Sequence, residues 1–301
     1  MSTGHTAPLR PKQVIASTMA KARIFQEAMP FIKAYRGKIV VIKYGGSAMV
    51  DESLRETFAD DVAMLHLVGI KPIIVHGGGP QISRAMGQAG KEPVWVDGLR
   101  VTDAETLRVV QATLAGEINP DIVRLINGHG AVAAGTTGLD ANLFHVQPVD
   151  ERLGYVGDIT EVNPGLLHRL LDDGFVPVIA PLGRGDDGMS YNINADTAAG
   201  ALAGAIGAAK LVYLTDVEGL YRDLGDSDSL ISRIDITGLE ELLAGGSISK
   251  GMLPKLQSVV DAMKAGVQHS HILDGRVQHA LLLEIFTPEG IGTMVYHEGD
   301  L

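Results

Sequence analysis

Two uninterrupted apolar runs, each ending in glycines, constrain this chain more than any other feature: Ile39-Val40-Val41-Ile42-Lys43-Tyr44-Gly45-Gly46 and Ile73-Ile74-Val75-His76-Gly77-Gly78-Gly79-Pro80. An alternating strand buries one face. A continuous β-branched run buries both, as in a parallel sheet covered by helices above and below. On such sheets ligands sit at the carboxyl ends of strands, where both glycine loops fall. Glycine lacks a Cβ, so backbone N–H groups there can approach an anion, and a following helix adds the positive end of its dipole. Lys43 supplies a full charge at the same place. A glycine after a strand is also an ordinary turn, so each loop alone says little; the two together point to phosphate. Neither has the P-loop spacing or the Gly-x-Gly-x-x-Gly dinucleotide fingerprint, which places the phosphate reading outside those two folds.

With 301 residues, the chain has length for one large α/β unit or two lobes. Its 25 Lys and Arg against 36 Asp and Glu give a formal charge of −11, which argues against a nucleic-acid partner and favours a small-molecule ligand. There is no cysteine, so disulfide and thiolate chemistry are excluded. The first twelve residues lack the apolar core of a secretion signal. The most membrane-like stretch, residues 197–209, falls short of the roughly 20 residues a spanning helix needs. A soluble, cytoplasmic protein without a membrane partner is expected.

Strand and helix signals alternate, the pattern of a mainly parallel sheet flanked by helices. Helical periodicity predicts helices over residues 51–67, 80–88 and 103–114, and strands recur at 176–180 and 211–214. Residues 142–161, rich in glycine and β-formers, read as a hairpin excursion. A lobe boundary is placed near residues 194–197, after which the sheet signals restart. The arm over residues 12–29 carries Ile15, Met19, Ala22, Phe25 and Met29 as one helical stripe, which Pro30 ends or bends. That stripe packs either on a partner subunit or across its own sheet.

Three further constellations carry chemistry. In Asp97-Gly98-Leu99-Arg100-Val101-Thr102 an arginine follows a glycine turn, and its planar fork matches a carboxylate. In Ser190-Tyr191-Asn192-Ile193-Asn194-Ala195-Asp196-Thr197, an extended chain would project Asn192 and Asn194 to one side, with Asp196 near a helix start as a cap or a site residue. In Ser249-Lys250-Gly251-Met252-Leu253-Pro254-Lys255, Lys255 stands at the positive end of a helix, a poor place for a cation unless it serves an anion. The segment Leu214-Thr215-Asp216-Val217-Glu218-Gly219-Leu220-Tyr221, at a strand end, is a candidate nucleotide loop or a plain turn.

Together, in this order and over nearly the whole chain from Gly37, these motifs resemble the amino acid kinase family, in particular its members that act on N-acetyl-L-glutamate. The resemblance implies an α/β fold, a three-layer αβα sandwich around a mainly parallel open sheet, with two lobes and an N-terminal helical arm. The arm would be residues 1–35, the N-acetylglutamate lobe 36–195 and the ATP lobe 196–301. It implies ATP-dependent phosphorylation of the side-chain carboxylate, the second step of arginine biosynthesis. Lys43 and Lys255 would then stabilise the transferring phosphoryl group, with Asp196 holding both lysines. Gly46, Gly78 and Gly79 would donate backbone N–H groups, and Arg100, Asn192 and Asn194 would serve the acceptor. Thr215, Asp216, Gly219 and Tyr221 would lie near the nucleotide. A carboxylate nucleophile is already ionised at neutral pH and needs no general base, so His76 reads as a structural hydrogen-bonder. Mg2+ would come with ATP; no Asp-x-Asp pair offers a protein cage, so phosphates and water would hold it.

Arginine-inhibited members carry such an arm, which interlaces dimers into a hexamer, a trimer of dimers. By the same resemblance Lys210, Glu284 and Gly290 would contact arginine as an inhibitor, and Phe31 stands where a tyrosine is usual. Lys250 in place of a common glycine, and Asn119-Pro120 in place of Asn-Lys, are further departures. Other acceptors (acetylaminoadipate, glutamate, aspartate) and a non-catalytic arginine or acetylglutamate sensor are the competing readings. Turnover against each acid separates them.

Overall fold

The computed structural model describes residues 12–130, 132–222, 226–245, 248, 252–288 and 290–299; Ser249, Lys250 and Gly251, and with them the reading of Lys250, lie outside the described residues. Eight strands form the central sheet: β1 (Ile39–Tyr44), β2 (Lys71–His76), β3 (Ala133–Thr137), β4 (Val176–Ala180), β5 (Lys210–Thr215), β6 (Arg233–Asp235), β7 (His269–Asp274) and β8 (Thr293–Tyr296). Their spatial order is β6-β8-β7-β5-β1-β2-β4-β3. Every pairing is parallel except β7 with β8.

The apolar run of β1 feeds two cores, as period-2 geometry requires. Val40, Ile42 and Tyr44 join one cluster with helices Glu52–Leu67, Gly79–Gln88 and Asn119–Gly128. Val41 joins the other with helices Gly165–Asp172, Ala195–Ile206 and Leu253–Lys264. This is the expected αβα sandwich. The sheet runs without a break across the segment boundary expected at 195/196: β1 is hydrogen-bonded to β2 on one side and to β5 on the other. The strand order reverses at β1, which is where α/β sheets open a crevice.

Asp51 and Asp103 cap their helices, accepting N–H groups from Ser53 at 2.9 Å and Thr106 at 2.7 Å respectively. The third predicted helix is more complex than its periodicity: Ala104–Gln111 passes through a π-helical stretch, Ala112–Ile118, into Asn119–Gly128. The excursion at 142–161 is an antiparallel pair, Phe144–Pro148 with Val156–Val162, which closes with Leu182–Gly185 and Ser190–Ile193 into a four-stranded barrel.

Of the two outcomes expected at Pro30, ending the helix is not what happens: the helix Lys12–Tyr35 runs through it. Proline forfeits a single backbone bond, and Phe31, Ile32 and Tyr35 beyond it pack against the core and hold the last turns. Met19, Phe25 and Met29 of the expected stripe are 58%, 68% and 45% exposed, so this part of the stripe does not lie across its own sheet; Ile15's side chain lies outside the described ones.

Candidate active site

Lys43 leaves the last turn of β1 on the opposite face from Tyr44, which stacks on Phe58 and donates its hydroxyl to the Ala48 carbonyl at 2.6 Å. Gly46 then turns the chain with φ +70, and a Cβ there would sit 2.5 Å from Asp216 Oδ1. That same Oδ1 accepts the Ser47 N–H at 2.7 Å, so the loop after β5 is fastened to the loop after β1. Gly78 lies flat on the π-helical stretch: a Cβ would come within 2.6 Å of Ile118 Cδ1. Gly46 and Gly78 are therefore close-packed against their neighbours, while Gly79 has open space around it.

Opposite them, two helix N-termini meet. Ala195–Ile206 is built of small residues, which lets it lie so close to Leu253–Lys264 that a Cβ on Gly200 would be 2.7 Å from the Ser258 carbonyl. Asn194 caps the first helix, its Oδ1 accepting from Asp196 N at 2.8 Å and Thr197 N at 3.2 Å. The cap being filled, Asp196 turns its carboxylate to both lysines: Lys43 Nζ is 3.0 Å from Oδ1 and Lys255 Nζ is 2.9 Å from Oδ2. Burial works to raise the Asp196 pKa, but the two ammonium groups outweigh it and hold the carboxyl at about 2. Burial pulls Lys255 down to about 8 against the attraction of Asp196. Tyr213 lies beneath, its ring 5.0 Å from Lys255 Nζ and its hydroxyl donating to the Asp196 carbonyl at 3.2 Å.

A cavity of about 280 Å³ opens between these groups and the barrel, lined by Lys43, Gly46, Gly78, Gly79, Arg100, Asn192, Asn194 and Asp196 among others. Arg100 is buried at its far end. Its Nη2 donates to the Gly79 carbonyl at 3.0 Å and Ser83 Oγ at 2.9 Å, and Trp95 covers its guanidinium at 4.4 Å. Burial lowers its pKa, and among the described residues no carboxylate pairs with it. Asn192 Nδ2 donates to Thr102 Oγ1 at 3.3 Å. His76 is fully buried and held neutral, its pKa lowered to about 4 by burial. It bridges the Gly77 carbonyl at 2.8 Å and Asn119 Nδ2 at 3.2 Å, which fits a structural role.

Lys43, Asp196 and the acceptor candidates thus share one cavity; Lys255 reaches it through its ion pair with Asp196 and, like Thr215, Asp216, Gly219 and Tyr221, is not among its lining residues. Asp216 stands behind Gly46, and Tyr221 donates its hydroxyl to Glu218. Asn194 lines the cavity, but its oxygen is committed to the helix cap. Sequence reasoning missed Asn119 and Tyr213, each defined by a contact across the fold, and Trp95, defined by its hairpin contact with Arg100. Lys210, Glu284 and Gly290 come together elsewhere, around a separate cavity of about 250 Å³ that also takes in Phe31 and Tyr35. There His271 links Lys210 Nζ at 2.8 Å to Glu284 Oε1 at 2.6 Å. Among the described residues no helix is long and apolar enough to cross a membrane.

The amino acid kinase family pattern matches residues 38–274. An acetylglutamate kinase of Caldanaerobacter subterraneus subsp. tengcongensis is 49% identical over 289 residues, covering 95% of this chain and 97% of that protein. An acetylglutamate kinase of Aquifex aeolicus is 48% identical, covering 91% and 97%. Among solved structures, N-acetylglutamate synthase from Neisseria gonorrhoeae, complexed with coenzyme A and N-acetyl-glutamate, superposes with a TM-score of 0.82 at 28% identity over 92% of this chain; the chain spans 64% of that synthase. Carbamate kinase from Giardia lamblia shares the fold, with a TM-score of 0.67 at 20% identity over 87% of this chain and 99% of that one. The chain belongs to the amino acid kinase family. Within that family it groups with the acetylglutamate kinases.

Proposed function

We propose that this protein transfers the γ-phosphoryl group of ATP to the side-chain carboxylate of N-acetyl-L-glutamate, giving N-acetyl-L-glutamyl 5-phosphate and ADP, the second step of arginine biosynthesis. The observation that carries the reading is one cavity with Lys43 and Asp196 at one end, Lys255 joined to the same carboxylate, and a buried arginine, with no carboxylate partner among the described residues, at the other. Arg100 takes the acceptor's α-carboxylate through the guanidinium hydrogens that Gly79, Ser83 and Met86 leave free. Asn192 orients the acceptor, and Asn194 contributes through whatever its capping bonds leave exposed. The side-chain carboxylate, ionised without help, attacks phosphorus; an O–P bond forms, the bond from Pγ to the β–γ bridging oxygen breaks, and ADP leaves with the electron pair.

No proton moves in this step. Catalysis is alignment and charge neutralisation, supplied by Lys43, Lys255 and the amides of Gly46, Gly78 and Gly79. Among the described residues no group of three or more His, Asp or Glu side chains is placed to hold a metal ion, and the cavity's own donors, lysine, arginine and glycine N–H, suit a phosphoryl group. Mg2+ accompanying ATP would be held by phosphates and water, and would neutralise charge on the β- and γ-oxygens. Residues 36–195 form the acceptor lobe and 196–301 the nucleotide lobe, with Thr215, Asp216, Gly219 and Tyr221 beside the nucleotide. Its proposed place of action is the cytoplasm.

Arginine is the proposed feedback inhibitor, seated among Lys210, Glu284 and Gly290 with the arm against it. The exposed stripe of the arm supports a homo-hexamer built through that helix. A copy lacking residues 1–29 is expected to keep its activity and lose inhibition; unchanged inhibition refutes the arm's role. The reaction itself is tested by ADP release against acetylglutamate, acetylaminoadipate, glutamate and aspartate. Selective turnover of acetylglutamate is expected. ATP binding with no turnover of any of them defeats the kinase reading in favour of a sensor.

A further inference from the structure

We propose that Trp95 is the specificity-determining residue of the acceptor cavity: its indole clamps the Arg100 guanidinium in plane, and the same ring forms an apolar wall for the acceptor's N-acyl group. The inference rests on the reading of this cavity as the acceptor site.

The juxtaposition is built by a hairpin. Trp95–Val96 pairs with Leu99–Arg100 in antiparallel register, with Trp95 directly opposite Arg100. Asp97 and Gly98, both at positive φ (50 and 83), make the two-residue turn that fixes this register. Directly opposed residues lie on one face with Cβ atoms about 5 Å apart. The ring therefore arrives over the guanidinium, 4.4 Å from its carbon, by backbone geometry rather than by a fortuitous rotamer.

Arg100 itself is fixed on the other sides: Nη2 donates to Gly79 O and Ser83 Oγ, and Nη1 reaches Met86 Sδ at 3.3 Å. A guanidinium has five donor hydrogens in one plane. With its face covered, Nη2 engaged twice and Nη1 once, the Nε hydrogen and one Nη1 hydrogen remain in the plane to meet a carboxylate.

Trp95 is 53% exposed while Arg100 beside it is 5% exposed. A residue placed for core stability would be buried, so this ring contributes little to the core and stands at the cavity mouth, where it lines the space with Leu99 and Val156. The cavity therefore offers a cationic fork next to an apolar wall. That combination fits a small dicarboxylate whose amine is capped by a neutral acyl group; a free ammonium would meet the Arg100 charge and an apolar surface.

The chain has a single tryptophan, which makes the inference directly readable. In the full-length wild-type protein, saturable change of tryptophan emission on adding N-acetyl-L-glutamate, absent with L-glutamate at the same concentration, is expected. In steady-state assays, Trp95→Leu and Trp95→Ala are expected to raise KM for acetylglutamate about tenfold with kcat nearly unchanged, whereas Trp95→Phe, which keeps a π face, stays close to wild type. Selectivity for acetylglutamate over glutamate falls in the Leu and Ala variants. Trp95→Leu kinetics equal to wild type would overturn the clamp, because leucine keeps apolar bulk without a π face. An emission spectrum unmoved by acetylglutamate while turnover proceeds would overturn the placement of the ring. If wild type turns over no acetylglutamate, the functional reading fails and this inference with it; normal wild-type turnover with indifferent variants defeats this inference alone.

Discussion

Replacing Asp196 by Asn keeps the shape of the side chain and removes the one charge shared by Lys43 and Lys255. The two ammonium groups, 3.0 and 2.9 Å from that carboxylate, are then left facing an amide. At an effective dielectric of about 20, each such contact is worth roughly 5–6 kcal/mol before desolvation. Much of that is offset by the cost of burial, and removing one partner of a buried pair costs about 3–5 kcal/mol. Because the Asp196 side chain is 15% exposed, the lower part of that range applies to stability. Asp196 is also the chief force holding the Lys255 pKa up at about 8, so in the variant Lys255 titrates lower and is partly neutral at physiological pH. Losing one preorganised charge at the phosphoryl group costs about 10²–10³ in kcat. The assay is ADP release at saturating ATP and acetylglutamate over a range of pH. A large fall in kcat is expected, with the alkaline limb moved to lower pH. The acid side carries a second signature: a carboxyl held at about 2 contributes stability that is complete above the unfolded value near 3.9 and is lost as pH falls through about 2, and the variant lacks this contribution. Wild-type kcat with an unmoved alkaline limb would refute the reasoning.

Gly46→Ala places a methyl group on the Asp216 carboxylate, 2.5 Å away, at a φ of +70, so the turn must shift; kcat/KM for ATP should fall more than the melting temperature accounts for. Asn119→Ala removes bonds to His76 Nε2, the Thr136 carbonyl and the Val178 carbonyl, and is expected to cost about 2–3 kcal/mol in denaturant melts, while activity per folded molecule holds. Glu284→Gln weakens the buried Lys210–His271–Glu284 chain and should raise the arginine concentration for half-inhibition while leaving uninhibited kcat alone; unchanged sensitivity would move the inhibitor site elsewhere.

What could be read from the sequence was whatever depends on local pattern and charge. The runs ending at Tyr44 and His76 could only be doubly buried strands, and their glycines had to lie at the carboxyl edge. Lys255 betrayed itself by standing at the wrong end of a helix dipole. Asn194 was harder, because whether it ends a strand or caps a helix depends on where the chain turns; the strand stops at Ile193, and the cap takes its oxygen. Pro30 left two outcomes open, and the helix does not end there because the cost of one missing N–H is small beside the packing of Phe31, Ile32 and Tyr35. The π-helical stretch answers to the tertiary fit of Leu114 and Ile118 against Gly78, which no periodicity encodes. Trp95 did leave a signal: an Asp-Gly pair two residues on predicts a tight hairpin, and the hairpin's register puts Trp95 opposite Arg100.

The most direct test of the account is a crystal structure of the protein with ADP, aluminium fluoride and N-acetyl-L-glutamate. The account predicts Lys43 Nζ and Lys255 Nζ both within about 3 Å of the fluoroaluminate, in line with the acceptor's side-chain carboxylate, whose α-carboxylate lies on Arg100. A fluoroaluminate touching only one of the lysines, or an acceptor bound away from Arg100, would contradict it.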